Sequence, residues 1–385
     1  MEIRHLFNGI YSGKKVFITG HTGFKGSWLS LWLSLLGADV TGFSLEPETK
    51  PNHFSLIDIK MRSITGDIRH KKALQDAVDT CEPDIVFHLA AQPLVRKSYN
   101  IPHETLETNI MGTVNLLEAC RNSKSIKAII NITSDKCYEN KDLQWSFNEN
   151  DPMGGFDPYS TSKGCAELIT SSYRNSFFNI SDYGIKHHTL LASCRAGNVI
   201  GGGDWSEDRL IPDIIRYASK NEIINIRNPH AVRPWQHVLE PLSGYLLLGQ
   251  RLLEGKRGYA EAWNFGPGHG NDISVKEVAS TAKLFWSNIR FKDKTIPLNK
   301  QPHESAYLKL DCSKANGKLN WTEVWDTTTA IEKTIKWYKL FYGKKEVSTK
   351  KDISDYVENA YNKGLVWALP DASLSQAFKE IKGRY

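Results

Sequence analysis

A glycine-rich loop between a buried strand and a long apolar helix constrains this fold more than any other feature of the sequence. The segment KVFIT (15–19) predicts a strand, the loop GHTGFKG follows at once, and SWLSLWLSLLG (27–37) predicts a helix. In such a setting Gly20 permits the tight turn, Gly23 lets a pyrophosphate approach the backbone, and Gly26 lets the helix pack closely on the strand. The phosphates would lie at the helix N-terminus. The order of these elements predicts a dinucleotide-binding βαβ unit.

The alternation of strands and helices continues along the chain. Further strands are predicted at residues 38–44, 84–90, 128–134, 188–195 and 223–226, and further helices at 102–121, 158–178 and 241–254. The longer strands are apolar on both faces, which is typical of a parallel sheet covered by helices on both sides. The predicted fold class is α/β, a Rossmann-type doubly wound parallel sheet with a smaller mixed α/β substrate-binding lobe.

The length of 385 residues exceeds the usual size of one hydrophobic core, which predicts two lobes. The predicted Rossmann domain comprises residues 1–192 and 234–263. The predicted substrate-binding lobe comprises residues 193–233 and 264–342. The remainder, 343–385, is predicted to form a helical C-terminal tail.

Composition excludes several classes of protein. The net charge of +6 comes from 49 basic and 43 acidic residues without an Arg-rich run, so we expect no nucleic-acid partner. The six cysteines form no CxxC pair, which argues against a metal site or disulfide framework and favours a reducing cytoplasm. No apolar run reaches the roughly 18 residues that a membrane span needs, and residues 1–13 do not resemble a signal peptide.

Two segments after the first helix are candidates for binding the adenosine half of a dinucleotide. Glu46 lies where an acid usually binds the ribose hydroxyls, which favours NAD, whereas Ser44 at the strand end would also tolerate the 2′-phosphate of NADP. Asp67 follows another predicted strand and would suit the adenine amino group, although a turn Asp exposed to solvent explains the same position.

A catalytic constellation follows further along the chain. Tyr159 and Lys163 are four residues apart at the start of a helix, which places both side chains on one face. A phenol with a pKa near 10 is a poor base, so we expect the Lys163 ammonium and a nicotinamide cation to lower the pKa of Tyr159. Ser134, at the end of a strand, would bind the reacting hydroxyl.

Asp135 and Lys136 follow Ser134 directly and add an acid and a potential base to this site. Simple dehydrogenation or epimerisation has no use for them. Without the neighbouring motifs, a charged turn after a strand would explain both residues.

The motifs TGHTGFKG, HLAAQ (88–92), SDK, YSTSK and RAGNVIGGGDW together resemble the extended short-chain dehydrogenase/reductase family, and within it the CDP-glucose 4,6-dehydratases. The resemblance covers residues 8–340. It implies conversion of CDP-glucose to CDP-4-keto-6-deoxyglucose and water by C4 oxidation, C5–C6 dehydration and hydride return to C6 with bound NAD. Asp135 would be the acid at the C6 hydroxyl. Lys136, where the wider 4,6-dehydratase group usually has Glu, is a candidate base at C5.

The resemblance also assigns ligand contacts and a quaternary structure. The implied cofactor contacts are Gly20, Gly23, Phe24, Lys25, Gly26, Ser44, Glu46, Asp67, Ile68, Leu89, Ala90, Ala91, Gln92, Asn109, Thr133, Tyr159 and Lys163. The expected substrate contacts are Arg195, Asn198, Leu210, Pro212, Arg216, Arg227, Arg233, Trp235, His237, Asn264 and Tyr307, of which Arg216 also suits an ordinary surface position. The family implies a homodimer through a four-helix bundle, although a monomeric core explains the same apolar helix faces. It also implies a role in bacterial O-antigen or other lipopolysaccharide synthesis.

Three other functions fit parts of the pattern. An NAD-dependent nucleotide-sugar 4-epimerase would use the same Tyr159 and Lys163, and a 4,6-dehydratase for another nucleotide sugar would use the entire set. A non-catalytic NAD-binding sensor on the same fold would not need Ser134, Tyr159 and Lys163 together.

Overall fold

The computed structural model describes residues 3–141, 145–268, 273–294 and 307–369. Within these ranges the strands are β1 (Lys15–Thr19), β2 (Asp39–Ser44), β3 (Arg62–Thr65), β4 (Ile85–His88), β5 (Ala128–Ile132), β6 (Leu190–Ala196), β7 (Val199–Ile200), β8 (Ile223–Ile226), β9 (Val232–Arg233), β10 (Gln236–His237), β11 (Ala262–Phe265), β12 (Ile273–Ser274) and β13 (Arg290–Asp293). The α-helices are α1 (Phe24–Leu35), α2 (His53–Leu56), α3 (Lys71–Cys81), α4 (Val95–Asn100), α5 (Pro102–Leu106), α6 (Gly112–Asn122), α7 (Pro158–Ser176), α8 (Leu210–Ser219), α9 (Leu239–Leu253), α10 (Val275–Phe285), α11 (Thr327–Lys344) and α12 (Thr349–Asn362).

The main sheet has seven parallel strands in the order β11-β6-β5-β4-β1-β2-β3. The chain builds outward from β1 to β3, returns to the other side of β1 with β4, and continues to the opposite edge. Successive residues of β1 enter different hydrophobic clusters, because Val16 and Ile18 pack in one and Phe17 in the other. Both faces are therefore covered, and the predicted doubly wound parallel sheet is confirmed.

One predicted helix is interrupted. Residues 102–121 were expected to form a single helix, but α5 and α6 are joined by a π-helical segment, Glu107–Met111. Single π-turns inside helices are frequent at functional sites. Here the π-helical segment carries Asn109, which is buried and contacts the loop after β4.

The predicted boundaries between the two lobes fall inside strands of the main sheet. Residue 192 lies within β6 and residue 263 within β11, and these two strands pair in register with Asn264 opposite Arg195. Both residues therefore belong to the main sheet. The smaller sheets, in which β8 pairs with β13 and β9 with β12, lie outside it.

The described part of the C-terminal tail is packed against the Rossmann domain. The Tyr356 hydroxyl on α12 is 2.7 Å from Glu240 Oε2 and 3.1 Å from Ser243 Oγ, both on α9. Further on, the Trp367 ring stacks on Phe7 with 5.2 Å between centroids. The rest of the predicted helical tail, 370–385, lies outside the described residues.

The packing of α12 can be tested with a Tyr356→Phe variant. It loses the buried hydroxyl that contacts Glu240 and Ser243 and leaves the Glu240 carboxyl group without one of its partners, so unfolding free energy should fall by about 1–3 kcal/mol. Urea unfolding measures the change. Tyr361→Phe, at an exposed position of the same helix, is the matched control and should remain near wild type. Equal stability of the two variants would contradict the inferred role of Tyr356.

None of the described helices is sufficiently long and apolar to cross a membrane. In the same ranges, no group of three or more His, Cys, Asp or Glu residues is arranged to hold a metal ion.

Candidate active site

The carboxyl ends of the central strands converge on one edge of the sheet. Gly20 follows β1, residues 89–92 follow β4, Ser134 follows β5 and Gly197 follows β6. Gly20 has a φ of +76°, and a Cβ there would lie 2.7 Å from the Ala90 nitrogen. The loops after β1 and β4 are therefore in direct contact, at the edge where open α/β sheets bind ligands.

The glycine loop forms a cradle suited to a pyrophosphate. A Cβ on Gly26 would lie 2.0 Å from the Gly20 oxygen, so α1 packs against the turn more closely than any other residue would allow. Gly23 is the N-cap of α1, and no side chain caps this end or places a carboxylate in its first turn. The first backbone N–H groups of the helix are therefore available to an anion. These residues fit a dinucleotide.

The residues predicted to bind the adenosine half differ in how they are held. Glu46 is exposed and accepts a 2.7 Å hydrogen bond from Thr65, and Ser44 lies 2.8 Å from the Thr22 hydroxyl. Asp67 is bound by its neighbour Arg69, with the shorter oxygen–nitrogen distance 2.6 Å. An adenine amino group would therefore share the Asp67 carboxylate with Arg69.

Two predicted cofactor contacts also organise the site. Asn109 Oδ1 accepts from the Gln92 backbone at 2.8 Å, and its amide donates to the Gln92 carbonyl and to Ser162 on α7. The loop after β4 is thereby tied to the helix that carries Tyr159. Ile68 is buried beneath Gly112, where a Cβ would lie 2.4 Å from its side chain.

Ser134, Tyr159 and Lys163 come together as their spacing predicts. Asp157 caps α7 by accepting from the Ser160 nitrogen at 3.0 Å, which fixes the start of the helix. Tyr159 is hydrogen-bonded to Ser134, and Lys163 Nζ lies 3.4 Å from the Ile132 carbonyl of β5. Both α7 side chains are buried, at 8% and 7% exposure.

The electrostatics of Tyr159 differ from the expectation. Burial raises its pKa to about 12, and the Ser134 hydrogen bond offsets only part of this rise. The cation that lowers the pKa of Tyr159 is Arg209, a residue that was not among the predicted contacts. Burial lowers the pKa of Lys163 to about 8. Desolvation therefore outweighs the expected effect of Lys163 on the phenol.

Asp135 is a buried carboxyl group, 2% exposed, with one oxygen unpartnered among the described residues. Its Oδ1 accepts from Ser134 at 3.0 Å, and its Oδ2 faces Gly197, where a Cβ would lie 1.8 Å away. Burial raises its pKa, and the charges of Lys136, Arg233 and Lys25 offset part of that rise. Burial therefore favours the protonated form of Asp135, and the three cations oppose this effect only in part.

Comparison with known sequences identifies the family of this chain. The sequence profile described as GDP-mannose 4,6 dehydratase matches residues 17–334. The chain belongs to that family. It is 50% identical over 353 residues to the CDP-glucose 4,6-dehydratase of Salmonella typhimurium, covering 90% of this chain and 97% of that one.

Solved structures share the fold at lower identity. The epimerase Mth375 of Methanothermobacter thermautotrophicus superposes with a TM-score of 0.76 and 22% identity over 91% of this chain and 96% of that one. DesIV, a dTDP-glucose 4,6-dehydratase of Streptomyces venezuelae with NAD bound, gives a TM-score of 0.70 and 21% identity over 85% and 98%.

In this member of the GDP-mannose 4,6 dehydratase family, several predicted substrate contacts lie around α8. Leu210 and Pro212 form its first turn, and Arg216 binds Asp213 at 2.8 Å. Arg227 pairs with Asp208 at 3.0 Å. Asn198 has a left-handed backbone with φ of +38° between β6 and β7. The remaining two contacts are Arg233, whose charge acts on Asp135, and Tyr307, whose carbonyl accepts from Asn140.

Four predicted substrate contacts are buried among other side chains, and their contact with substrate stays a prediction. Arg195 binds Glu167 at 2.9 Å, and the Asn264 amide donates to two backbone carbonyls. His237 is buried between the rings of Trp28 and Trp325, and burial lowers its pKa to about 3. Trp235 is also buried, at 6% exposure.

Proposed function

We propose that the protein is a CDP-glucose 4,6-dehydratase, which converts CDP-glucose to CDP-4-keto-6-deoxyglucose and water. The observation that carries the proposal is the buried Asp135, followed by Lys136, beside Ser134, Tyr159 and Lys163. The 50% sequence identity to the Salmonella typhimurium enzyme, over 97% of its length, supports the same reaction and CDP-glucose as the substrate.

We assign the first chemical step, oxidation at C4, to Ser134 and to the residues at the start of α7. Ser134 hydrogen-bonds the sugar O4, and Tyr159 takes the O4 proton. The positive charge of Arg209 lowers the pKa of Tyr159. We assign to the Lys163 ammonium the further stabilisation of the phenolate that this transfer requires. NAD, the cofactor that the glycine cradle fits, supplies the hydride acceptor and donor for a reaction with no net oxidation.

The second task, elimination, belongs to Asp135 and Lys136. A ketone at C4 makes the C5 hydrogen acidic, and we assign its removal to Lys136, which is half-buried and forms no ion pair with any described residue. Asp135, whose pKa burial raises, gives its proton to the departing C6 hydroxyl. The C6 hydroxyl leaves as water with the Asp135 proton, and Lys136 holds the C5 proton and returns it to C5 when the sugar is reduced at C6.

The substrate lobe would bind the diphosphate through arginines. Arg216 and Arg227 now face Asp213 and Asp208, and phosphate oxygens would replace these carboxylates. Arg233 lies within range of Asp135 and would connect the diphosphate site to the reacting sugar.

We also propose a homodimer, a cytoplasmic location and a role in bacterial O-antigen synthesis. The dimer is supported by exposed apolar residues near α6 and on α7. Met111, just before α6, is 49% exposed, and Leu168 on α7 is 59% exposed, whereas Leu117 on α6 is buried in the core. The location is supported by six free cysteines. The pathway is supported by the family resemblance.

The cradle can be tested with Gly26→Ala. Its Cβ would collide with the Gly20 carbonyl and displace α1, so NAD should bind about tenfold more weakly or worse. Isothermal titration with NAD measures the affinity. Gly343→Ala, which places a Cβ in open space on α11, should bind NAD like the wild type. Unchanged affinity of Gly26→Ala would contradict the proposed cradle.

The reaction itself is tested by incubating the purified protein with CDP-, dTDP-, UDP- and GDP-glucose without added reductant. We expect CDP-glucose to lose one water, which mass spectrometry detects. A 4-epimerase would leave the mass unchanged. Absence of a dehydrated product with every nucleotide sugar would contradict the proposal.

A further inference from the structure

A buried carboxylate lies one helical turn beyond Lys163. Tyr159, Lys163 and Glu167 are spaced four residues apart on α7, which places all three on the face that packs against the sheet. Glu167 is 4% exposed. The mechanism described above does not use it.

Glu167 connects the end of β5 to the neighbouring strand β6. One carboxylate oxygen accepts from the hydroxyl of Thr133, the residue that precedes Ser134. The other accepts from Ser193 on β6 at 2.8 Å and from Arg195 at 2.9 Å. Three hydrogen bonds thus hold the Glu167 carboxylate, so the side chain has one orientation.

The hydrogen-bond chain continues beyond Arg195. The Tyr138 hydroxyl accepts from Arg195 at 2.6 Å and donates to Asn264 Oδ1 at 2.7 Å. Asn264 in turn donates to the carbonyls of Phe147 and Asp311. Arg195 and Asn264 therefore join the catalytic helix to the segments around residues 147 and 311.

Charge also links Glu167 to Lys163. Burial lowers the pKa of Lys163 to about 8, and the negative charge of Glu167 is the main influence that raises it. Burial alone would raise the pKa of Glu167, but Arg195 and the hydrogen bonds lower it overall. Glu167 is therefore ionised at neutral pH.

The other groups around this pair do not supply such a charge. Cys137 in the turn after β5 and Cys194 on β6 are buried thiols whose pKa values burial raises. His88 on β4 is neutral, because burial lowers its pKa to about 3. Lys25 on α1 and Arg174 on α7 are cations. Among the described groups that act on Lys163, Glu167 is the anion.

We propose that Glu167 is a positioning residue of the dehydratase, whose carboxylate fixes the end of β5 next to Ser134 and keeps the Lys163 side chain in its ammonium form. The inference rests on the proposed function for its kinetic consequence. The link between Glu167 and Lys163 holds independently of the substrate.

The test is a Glu167→Gln variant, assayed from pH 6 to 10. Removing the anion should lower kcat about tenfold with KM within about twofold, because binding groups are untouched. The alkaline limb of kcat should move to lower pH by about one unit, since Lys163 then loses its proton sooner. Glu167→Asp, which keeps the charge, should retain the wild-type limb. A purely structural role would lower activity without moving the limb.

Two additions keep the test decisive. Because Glu167→Gln leaves Arg195 buried without its partner, the double variant Glu167→Gln/Arg195→Met removes both charges and restores folding if the single variant does not fold. The ¹⁵Nζ shift of Lys163, assigned with Lys163→Arg, gives its titration midpoint without any substrate. A lower midpoint in the Gln variant supports the inference. An unchanged midpoint overturns it, whereas wild-type protein inactive on CDP-glucose would overturn the proposed function instead.

Discussion

Tyr159→Phe is expected to lower turnover of CDP-glucose by about 10² to 10⁴-fold, because it removes the group assigned to the O4 proton. The ring keeps its packing, and Phe leaves the glycine cradle unchanged, so NAD affinity should remain near wild type. Product formation measured by mass spectrometry and NAD binding measured by titration separate the two effects.

The control for this variant is again Tyr361→Phe, which makes the same chemical change at an exposed position of α12. It should retain full turnover. Undiminished turnover by Tyr159→Phe would show that another group takes the O4 proton. Loss of NAD binding in the same variant would show that the effect is not confined to proton transfer.

Asp135→Asn is expected to separate elimination from the steps that precede it. Asn has nearly the same shape but no proton to give to the C6 hydroxyl, so dehydration should fall by at least about 10²-fold. Removal of the C5 proton needs only the C4 ketone and its base. Substrate recovered from ²H₂O should therefore still carry deuterium at C5, which NMR detects.

Because Asp135 is buried and its pKa is raised, it keeps its proton to higher pH than an exposed Asp does. The elimination step should consequently decline as pH rises through the pKa of Asp135, and Asp135→Asn should abolish this dependence. Asp182→Asn, at a surface ion pair with Lys186, is the matched control and should behave like the wild type. Normal dehydration by Asp135→Asn would contradict the assigned acid.

The sequence predicts most of the sheet and the catalytic cluster because both depend on local patterns. The apolar segment at residues 15–19 and the loop after it specify β1 and the start of α1, and the four-residue spacing of Tyr159 and Lys163 specifies a shared helix face. Ser134 is placed beside them because it ends the neighbouring strand β5. None of these inferences needs a long-range contact.

Other features depend on contacts between distant segments. The hydrogen bonds that hold Arg195 beside Glu167 and Asn264 beside Tyr138 depend on the pairing of β6 with β11, which no local pattern predicts. The raised pKa of Tyr159 depends on how deeply α7 is buried, which spacing does not reveal. The position of Arg209 near Tyr159 depends on the fold of the loop before α8.

We propose that one active site oxidises C4, eliminates water and returns the same hydride to C6. The most direct test is conversion of CDP-[4-²H]glucose by the wild-type protein in ordinary water, followed by NMR and mass spectrometry of the sugar. The proposed mechanism predicts that the product retains the deuterium and carries it at C6. A dehydrated product without deuterium at C6, or a product that keeps deuterium at C4 with no loss of water, would contradict it.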